Sequence, residues 1–244
     1  MTADFKSPPR HMWPKRFPPL TPERERISDD FMRHWHEVLP NRYGIVERFN
    51  QTYPVRFAPP FLGARTLEIG AGLGEHIEYE SLSDQEYHCV ELRANMAEAI
   101  TARFPSVHAT VADCQTSLPY PDDHFDRVLA IHVLEHLPNL PAALDEIGRV
   151  LKPGGKFAVV IPCDPGLAYE IARKISAERI FRRRYGQSYR WLIRREHINS
   201  PREIREQVVL RLPIRHQRFW PLAVPVPTLN LVIGMVAVKP DAED

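Results

Sequence analysis

Short apolar stretches alternate with amphipathic segments along the chain between residues 61 and 162. The apolar stretches that predict strands are 66–70, 87–92, 107–112, 125–133 and 156–161. Apolar residues recur at helical spacing in 95–104 and 140–151, and a further helix is predicted to open at Gly74 and run to Tyr79. Strands that alternate with helices in this way are typical of a parallel sheet with helices on its faces.

Beyond residue 162 the alternation stops, and residues 164–199 are predicted to form a helical insertion. A helix at 200–210 follows, with Ser200 as its N-cap and Pro201 at its first position. Two further stretches, 215–220 and 229–239, have the character of closing strands. The pattern therefore predicts an α/β protein with a doubly wound, mostly parallel sheet of seven strands.

The first 60 residues form a separate region, because ten of the 24 prolines lie there. Residues 1–20 are expected to be an extended arm, since their prolines exclude regular structure. A helix should begin after Thr21, with Pro22 at its first position, and end at Pro40. A second short helix at 42–49 and a connector at 54–60 complete this predicted helical cover. The main domain is predicted to span 61–244.

The charge and cysteine content argue against several classes of protein. The formal net charge is +1, so no global field favours nucleic acid or a membrane. The three cysteines form no C-x-x-C pair, which favours buried thiols in a reducing compartment over disulfides or a zinc site. Residues 1–10 lack the apolar stretch of a signal peptide, and the apolar segment 222–238 is shorter than a spanning helix. A cytoplasmic location is therefore expected.

A glycine-rich loop follows the first predicted strand. Segment 67–74, LEIGAGLG, places Gly70, Gly72 and Gly74 at alternate positions between a strand and the next predicted helix. Glycine lets a ligand approach the backbone closely and adopts the dihedral angles that such a turn needs. The G-x-G-x-G spacing differs from the G-x-G-x-x-G of dinucleotide-binding proteins, and no G-K-[ST] follows, so a P-loop is excluded.

Two acidic residues extend this candidate nucleoside site. Glu91 ends the second predicted strand 21 positions after Gly70, close to the roughly 20 expected for an acid that binds ribose hydroxyls. Asp113 follows the third predicted strand, where its carboxylate can accept a hydrogen bond from an adenine amino group. The carboxyl ends of neighbouring parallel strands share one edge, and ligands bind there in open α/β sheets.

In these motifs residues 66–162 resemble the class I S-adenosylmethionine-dependent methyltransferases, in the type 11 branch that acts mostly on small molecules. The resemblance implies a Rossmann-like fold. It also implies that Glu68 and the glycines of the loop hold the methionine part of S-adenosylmethionine, Glu91 the ribose and Asp113 the adenine. Glu68 has a structural alternative, as a carboxylate that ties down the loop.

Further positions join the predicted cofactor site because they adjoin these motifs: Ala71, Leu92, Cys114 and Ile131. Segment 125–137 resembles the fourth-strand motif of the family, and segment 149–155 resembles its turn before the fifth strand. Asp126 is interpreted as structural, because it starts a strand opposite the ligand edge. A nicotinamide-dependent oxidoreductase is the rival with the same architecture, and the glycine spacing disfavours it.

His132 is the candidate catalytic residue. Methyl transfer from a sulfonium is an in-line displacement, and a hydroxyl acceptor must also lose a proton. His132 ends the fourth predicted strand, and histidine titrates in the range that suits a general base. The alternative is that His132 only lines the pocket. Glu135 and His136 are expected to begin the following helix in a structural capping role.

Other histidines are weaker candidates. His34, His36 and Tyr43 belong to the N-terminal cover, and any of them facing the acceptor would contribute to the site, although solvated or packed side chains are favoured. No group of residues has the spacing of metal ligands, so no metal site is predicted.

The insertion is strongly basic, because residues 173–195 contain nine arginines and lysines and a single acid, Glu178. Four interpretations stay open: a phosphate-bearing or lipid-linked acceptor, peripheral contact with an anionic membrane, RNA, or a solvated face paired with acids elsewhere. Nucleic acid is the least favoured partner. Segment 196–199, EHIN, is faintly similar to methyltransferases of bacterial glycan pathways, which favours a sugar hydroxyl.

The sequence hypothesis is therefore an S-adenosylmethionine-dependent O-methyltransferase of a small-molecule or glycan-type acceptor. Methylation of nitrogen or carbon, on an amine or a quinone-like ring, is the alternative among enzymes. A protein that binds S-adenosylmethionine without catalysing transfer is the alternative outside them.

Overall fold

Seven strands form one sheet in the computed structural model, which describes residues 13–42 and 44–241, without the side chains of 35–42. The strands are β1 Ala64–Ile69, β2 Gln85–Glu91, β3 His108–Val111, β4 Phe125–Ile131, β5 Leu151–Pro162, β6 Ile214–Trp220 and β7 Val232–Val238. Their order is β3-β2-β1-β4-β5-β7-β6, and only β7 runs antiparallel to its neighbours. The predicted doubly wound, mostly parallel sheet of seven strands is confirmed.

Helices cover both faces of this sheet. They are α1 Pro22–Arg42, α2 Gly44–Phe57, α3 Ala94–Arg103, α4 Leu140–Val150, α5 Leu167–Ile175, α6 Ala177–Tyr185, α7 Arg190–Glu196 and α8 Pro201–Val209. Buried residues of α4 and α8 share one apolar cluster with one sheet face, and those of α2 and α3 share a second cluster with the other face. None of the described helices combines the length and apolarity needed to cross a bilayer.

The N-terminal cover is more helical than the sequence predicted. Helix α1 continues past Pro40 to Arg42, and α2 continues through Pro54 to Phe57, where a connector was expected. Tyr53 explains the second difference: its ring is buried so closely against Gly234 that a Cβ there would lie 2.5 Å away. Its hydroxyl is 2.9 Å from Nδ1 of His216 on β6. This packing outweighs the helical bond that a proline removes. His36 and Tyr43 lie outside the side chains that the structure describes.

The crossover from β1 to β2 holds no α-helix, contrary to the prediction of a helix from Gly74 to Tyr79. Turns and a 3₁₀-helix, Ile77–Tyr79, take its place. A crossover between parallel strands usually needs a dozen or more residues, and the glycine loop uses several of the 15 in 70–84. The shorter path brings Glu80 under the sheet, where both of its oxygens accept hydrogen bonds from Arg127 of β4, at 2.8 and 2.9 Å.

Glu80 and Arg127 form a buried ion pair that joins the crossover to β4. Nε2 of His76 lies 2.8 Å from the same carboxylate, and the side chains of all three residues are almost fully shielded from solvent. Burial alone would raise the pKa of Glu80, but the hydrogen bonds from His76 and Arg127 lower it to about 2. The carboxylate is therefore ionised at neutral pH. This buried ion pair, rather than a helix packed on the sheet, attaches the crossover to the sheet.

The insertion consists of three short helices, α5 to α7, that pack on the N-terminal cover. The ring of Phe31 in α1 lies 5.0 Å from that of Phe181 and 5.4 Å from that of Tyr189. Ser200 and Glu203 form a capping box at the start of α8, as the sequence pattern implies. Lys15 of the arm pairs with Glu203 at 2.6 Å, so the arm packs on the main domain there.

All three cysteines are buried and unpaired: Cys89, Cys114 and Cys163. Burial raises the pKa of each thiol to about 12. The thiols are therefore protonated packing groups rather than nucleophiles, as the sequence analysis expected.

Candidate active site

The carboxyl ends of four parallel strands bring the predicted site residues to one edge of the sheet. β1 lies between β2 and β4, so the glycine loop adjoins both the end of β2 and the residues after β4. The backbone N–H of Gly70 donates to the carbonyl of Val90 at 2.8 Å, and that of His132 donates to Val160 at 2.9 Å. This edge is the topological switch point at which open α/β sheets bind ligands.

Two of the three glycines in the loop are required by close packing, and the third has only a flexible side chain near it. Gly70, Gly72 and Gly74 have φ angles of +66°, +59° and +81°. A Cβ on Gly70 would lie 2.6 Å from Val133, and one on Gly74 would lie 2.9 Å from the ring of Phe104. A Cβ on Gly72 would meet only a side-chain oxygen of Glu75, at 3.1 Å. The backbone at Gly72 is thus open to a ligand, which fits a loop that holds part of a nucleoside cofactor.

Glu91 is bound to this loop by its carboxylate. Oε2 accepts a hydrogen bond from the N–H of Gly72 at 3.0 Å, and Oε1 accepts one from the N–H of Leu92, also at 3.0 Å. The residue is buried, whereas the side chain of Leu92 is exposed. Oε1 also accepts a longer hydrogen bond from the N–H of Arg93, at 3.4 Å, so Oε2 is the oxygen that keeps a second acceptor direction. The arrangement therefore fits a group that accepts hydrogen bonds from a ribose diol while it fixes the loop.

Glu68, in β1, and Ala71, in the glycine loop, are two further residues of the predicted cofactor site. The hydroxyl of Tyr87 donates to Oε2 of Glu68 at 2.8 Å, and burial raises the pKa of the Glu68 carboxyl. Both residues are buried. The structure thus places the Glu68 carboxyl in the interior, against Tyr87 of β2.

Asp113 and its neighbours occupy the end of β3. Oδ1 of Asp113 accepts hydrogen bonds from the backbone N–H and the side-chain amide of Gln115, at 2.9 and 3.0 Å. Oδ2 accepts none within the described part of the chain, so it remains available to an amino group. Cys114 is buried in the core, and Ile131 is half-buried at the end of β4.

His132 stands at a strained position directly after β4. Its φ of +53° lies in the left-handed region, which non-glycine residues rarely adopt and which often marks functional sites. Nδ1 lies 3.1 Å from Oε1 of Glu135, and Nε2 has no hydrogen-bond partner within the described residues. An ionised carboxylate can only accept, so Nδ1 carries the proton and Nε2 keeps its lone pair.

Glu135 is the residue that fixes the His132 ring through this hydrogen bond. The sequence analysis had assigned Glu135 only a capping role. It lies in a separate 3₁₀-helix, Leu134–His136, whereas the next helix, α4, begins at Leu140. Burial would raise the pKa of Glu135, but the hydrogen bond from His132 and the nearby imidazole of His136 lower it to about 2. The H-x-x-E spacing was the available signal.

Two further residues at this edge escaped the sequence analysis. Nδ1 of His197 lies 2.8 Å from Oδ2 of Asp164, and the His197 ring lies 5.4 Å from that of His136. His197 is 61 positions from His136 and belongs to the end of the insertion, so no local pattern connects them. His34 lies on α1, which packs on the insertion through Phe31.

A seven-stranded sheet of this order, with a glycine loop after β1 and an acid after β2, defines the class I methyltransferase fold. An S-adenosylmethionine-dependent methyltransferase from Aquifex aeolicus has the same fold, with a TM-score of 0.59 and 14% identity over 86% of this chain and 97% of that one. Residues 67–159 match the family of methyltransferase domains. These residues are therefore similar to a methyltransferase domain and have the class I fold, and this similarity implies S-adenosylmethionine as the cofactor.

Curated relatives are similar over part of their length. A probable phthiotriol/phenolphthiotriol dimycocerosates methyltransferase of Mycobacterium ulcerans is 30% identical over 62% of this chain and 60% of its own length. A sterol 4-C-methyltransferase of Caenorhabditis elegans is 36% identical over 38% of this chain and 29% of its own length. The chain thus spans less than two thirds of these relatives.

Proposed function

We propose that the protein transfers a methyl group from S-adenosylmethionine to an oxygen atom of a small-molecule acceptor. The observation that carries the choice of oxygen is the pairing of His132 with the buried, ionised Glu135 at 3.1 Å. A carboxylate that fixes the tautomer of a histidine and stabilises its protonated form is a recurrent device of general-base catalysis. An acceptor hydroxyl needs such a base, whereas a neutral amine does not.

The donor supplies an activated methyl group on its sulfonium sulfur. The residues of the chain would hold the donor and remove the proton of the acceptor. The open backbone of Gly72 and the carboxylate of Glu91 would hold the donor's sugar, with Asp113 at its base. Nε2 of His132 would accept the proton of the acceptor hydroxyl as its oxygen attacks the methyl carbon. Glu135 would stabilise the resulting imidazolium, which a water molecule could later deprotonate.

Replacing Glu91 with alanine is expected to weaken S-adenosylmethionine binding by about 10- to 100-fold. The substitution removes charged hydrogen bonds to a ribose, each of about 1.5–3 kcal/mol, and it also frees the N–H of Gly72. Calorimetric titration of the full chain measures the change. Glu86→Ala is the matched control, because Glu86 lies on the same strand but is exposed. The control should bind like the wild type, and NADH should bind to neither.

A folded wild-type chain that fails to bind S-adenosylmethionine would contradict the proposed function. If S-adenosylmethionine binding weakens equally in the two variants, Glu91 is not part of the cofactor site. Donor binding without transfer to any acceptor in a panel of alcohols, amines and quinones would favour the non-catalytic alternative.

An exposed apolar surface on the insertion bears on the class of acceptor. Leu167, Ile171 and Ile175 form a stripe along one side of α5, with 57, 53 and 73% of their surface exposed. The hydroxyl of Thr228 accepts a hydrogen bond from the N–H of Leu167 at 3.1 Å, which joins the loop 221–231 to the stripe. That loop adds further exposed apolar side chains: Leu222, Val224, Val226 and Leu229. Apolar surface of this extent marks an interaction site.

Most cations of the insertion lack an acidic partner among the described residues. Three of the nine in 173–195 have carboxylate partners: Arg173 with Glu178, Lys174 with Glu170 and Arg184 with Asp30. The other six have no carboxylate within 4 Å in the described regions: Arg179, Arg182, Arg183, Arg190, Arg194 and Arg195. We infer that α5, the loop 221–231 and these cations contact an anionic lipid surface that carries a lipid-linked acceptor.

Ile171→Glu is expected to weaken binding to anionic lipid vesicles by about tenfold, because burial of an isoleucine side chain contributes about 1.5–3 kcal/mol and a carboxylate would face like charge. Cosedimentation with phosphatidylglycerol-containing vesicles, compared with pure phosphatidylcholine, provides the measurement. Ile45→Glu, at an exposed isoleucine on α2, is the control. Equal vesicle binding by both variants, or no preference for anionic lipid, would leave a soluble acceptor as the better proposal.

A further inference from the structure

Three side chains close to the candidate base offer the donor atoms of a metal site. One oxygen of Glu135 and one ring nitrogen each of His136 and His197 all lie within 4.8 Å of one another. His136 follows Glu135 in the 3₁₀-helix after β4, and His197 follows α7 at the end of the insertion. Two imidazoles and one carboxylate are the donor set of many catalytic zinc and non-haem iron sites.

Both imidazoles are fixed by a bond from their other nitrogen. Nδ1 of His136 lies 2.6 Å from the carbonyl oxygen of Glu196, and Nδ1 of His197 lies 2.8 Å from Oδ2 of Asp164. Both partners accept hydrogen bonds, so each Nδ1 carries a proton and each Nε2 is left with a lone pair. Metal-binding histidines show this same arrangement, in which a carbonyl or a carboxylate orients the ring.

Glu135 supplies a second, independent sign of a missing partner. The residue is 1% exposed, and its Oε2 has no hydrogen-bond partner within the described residues, while Oε1 is engaged by His132. Nε2 of His136 is 3.8 Å from Oε1, too far for a hydrogen bond. A buried carboxylate oxygen without a partner is costly, and a bound cation would satisfy it.

Asn199 holds the two halves of the cluster together. Its backbone N–H donates to the carbonyl of Glu135 at 3.0 Å, and its side-chain amide donates to the carbonyls of Leu134 and Leu137, at 2.8 and 2.7 Å. The segment that carries His197 is therefore fastened to the 3₁₀-helix that carries Glu135 and His136. The three donors are preorganised by protein contacts alone.

A second cluster of similar composition lacks these features. Glu86, His88 and His108 lie at the other edge of the sheet, where both Glu86 and His108 are exposed. Nε2 of His88 already lies 2.8 Å from Oε1 of Glu86, and the two imidazole rings stack at 4.7 Å. No buried oxygen there is without a partner among the described residues. This cluster serves as a natural control.

We propose that Glu135, His136 and His197 bind one divalent transition-metal ion, of the zinc, cobalt or iron type. Imidazole nitrogens favour these ions over magnesium or calcium. A site with three protein ligands keeps positions open, and a hydroxyl oxygen of the acceptor can fill one of them. This last clause rests on the proposed function, whereas metal binding itself does not. The sequence analysis expected no metal, because His197 is remote along the chain.

Cobalt(II) titration of the full, chelator-treated chain tests the proposal without donor or acceptor present. The wild type should bind one cobalt(II) ion per chain and show visible d–d absorption bands. His197→Gln should weaken binding by more than about 100-fold, above the range for loss of an outer hydrogen-bond partner. His108→Gln, in the control cluster, should bind like the wild type.

Asp164→Asn keeps all three ligands and removes only the carboxylate that orients His197. It should weaken cobalt(II) binding by about 10- to 100-fold, and it guards against a His197 variant that fails to fold, which circular dichroism would reveal. A wild type without d–d bands, or cobalt(II) binding of equal strength in the folded wild type and His197→Gln, would overturn the proposal. Because S-adenosylmethionine binding is measured separately, its failure would count against the proposed function only.

Discussion

Replacing His132 with asparagine should lower kcat for an oxygen acceptor by about 10²- to 10⁴-fold, the contribution typical of a positioned general base. Asparagine tolerates the left-handed backbone that His132 adopts at a φ of +53°, so the change removes the base without straining the chain. Nε2 of His132 is the atom without a partner, and asparagine offers no comparable basic nitrogen. Steady-state turnover with saturating donor gives kcat directly.

The affinity for S-adenosylmethionine separates this effect from damage to the donor site. His132→Asn should bind the donor like the wild type, because Glu91 and the glycine loop are untouched. His124→Asn, at a histidine before β4, is a suitable control for both measurements. A kcat that falls less than a few-fold would contradict a base and favour nitrogen methylation, since a neutral amine needs no proton removed.

Arg127→Met should lower the free energy of unfolding by about 3–5 kcal/mol. Removing one member of a buried ion pair leaves the other charge poorly compensated: Glu80 loses the bonds from Arg127 to both of its oxygens and keeps only those of His76 and Gln85. Urea denaturation at neutral pH measures the loss. Arg103→Met is the matched control, because Arg103 pairs with Glu78 at the exposed surface, where such pairs contribute about 0–1 kcal/mol. Similar losses of unfolding free energy in the two variants would show that the buried pair contributes no more to stability than the exposed one.

The same pair sets a direction for the dependence of stability on pH. The pKa of Glu80 is about 2 in the folded chain, against an ordinary value of 4.5. Its contribution is therefore present above pH 4.5 and is lost as the pH falls from 4.5 towards 2, because the unfolded chain binds the proton more tightly. Glu80→Gln should have a flatter stability profile across this window. An unchanged slope would mean that other carboxylates dominate acid unfolding.

Periodicity was sufficient for the sheet, because strands β1, β2, β4 and β5 are largely buried and their apolar runs are bounded by turns. The motifs of the predicted donor site could also be recognised in the sequence, because Gly70, Gly72 and Glu91 lie at or just after the ends of two consecutive strands. Tertiary packing decided what the pattern missed. Tyr53 keeps α2 helical through Pro54 by filling the space over Gly234, and nothing in the local sequence specifies that contact.

Long-range contacts explain the other differences. The helix predicted after the glycine loop gave way to a short turn because Glu80 pairs with Arg127, a residue 47 positions later. His197 meets His136 only because Asn199 fastens the end of the insertion to the residues after β4. Such partners are specified by the fold as a whole, so spacing rules designed for local ligand motifs cannot find them.

The buried Glu80–Arg127 pair also bears on how the protein should respond to its donor. The crossover that follows the glycine loop is bound through Glu80 to the central strand β4. It therefore belongs to the same cooperative unit as the sheet rather than to a mobile lid. By mass action, a ligand that binds only the folded form then stabilises the whole domain, with a gain that grows as the logarithm of its concentration.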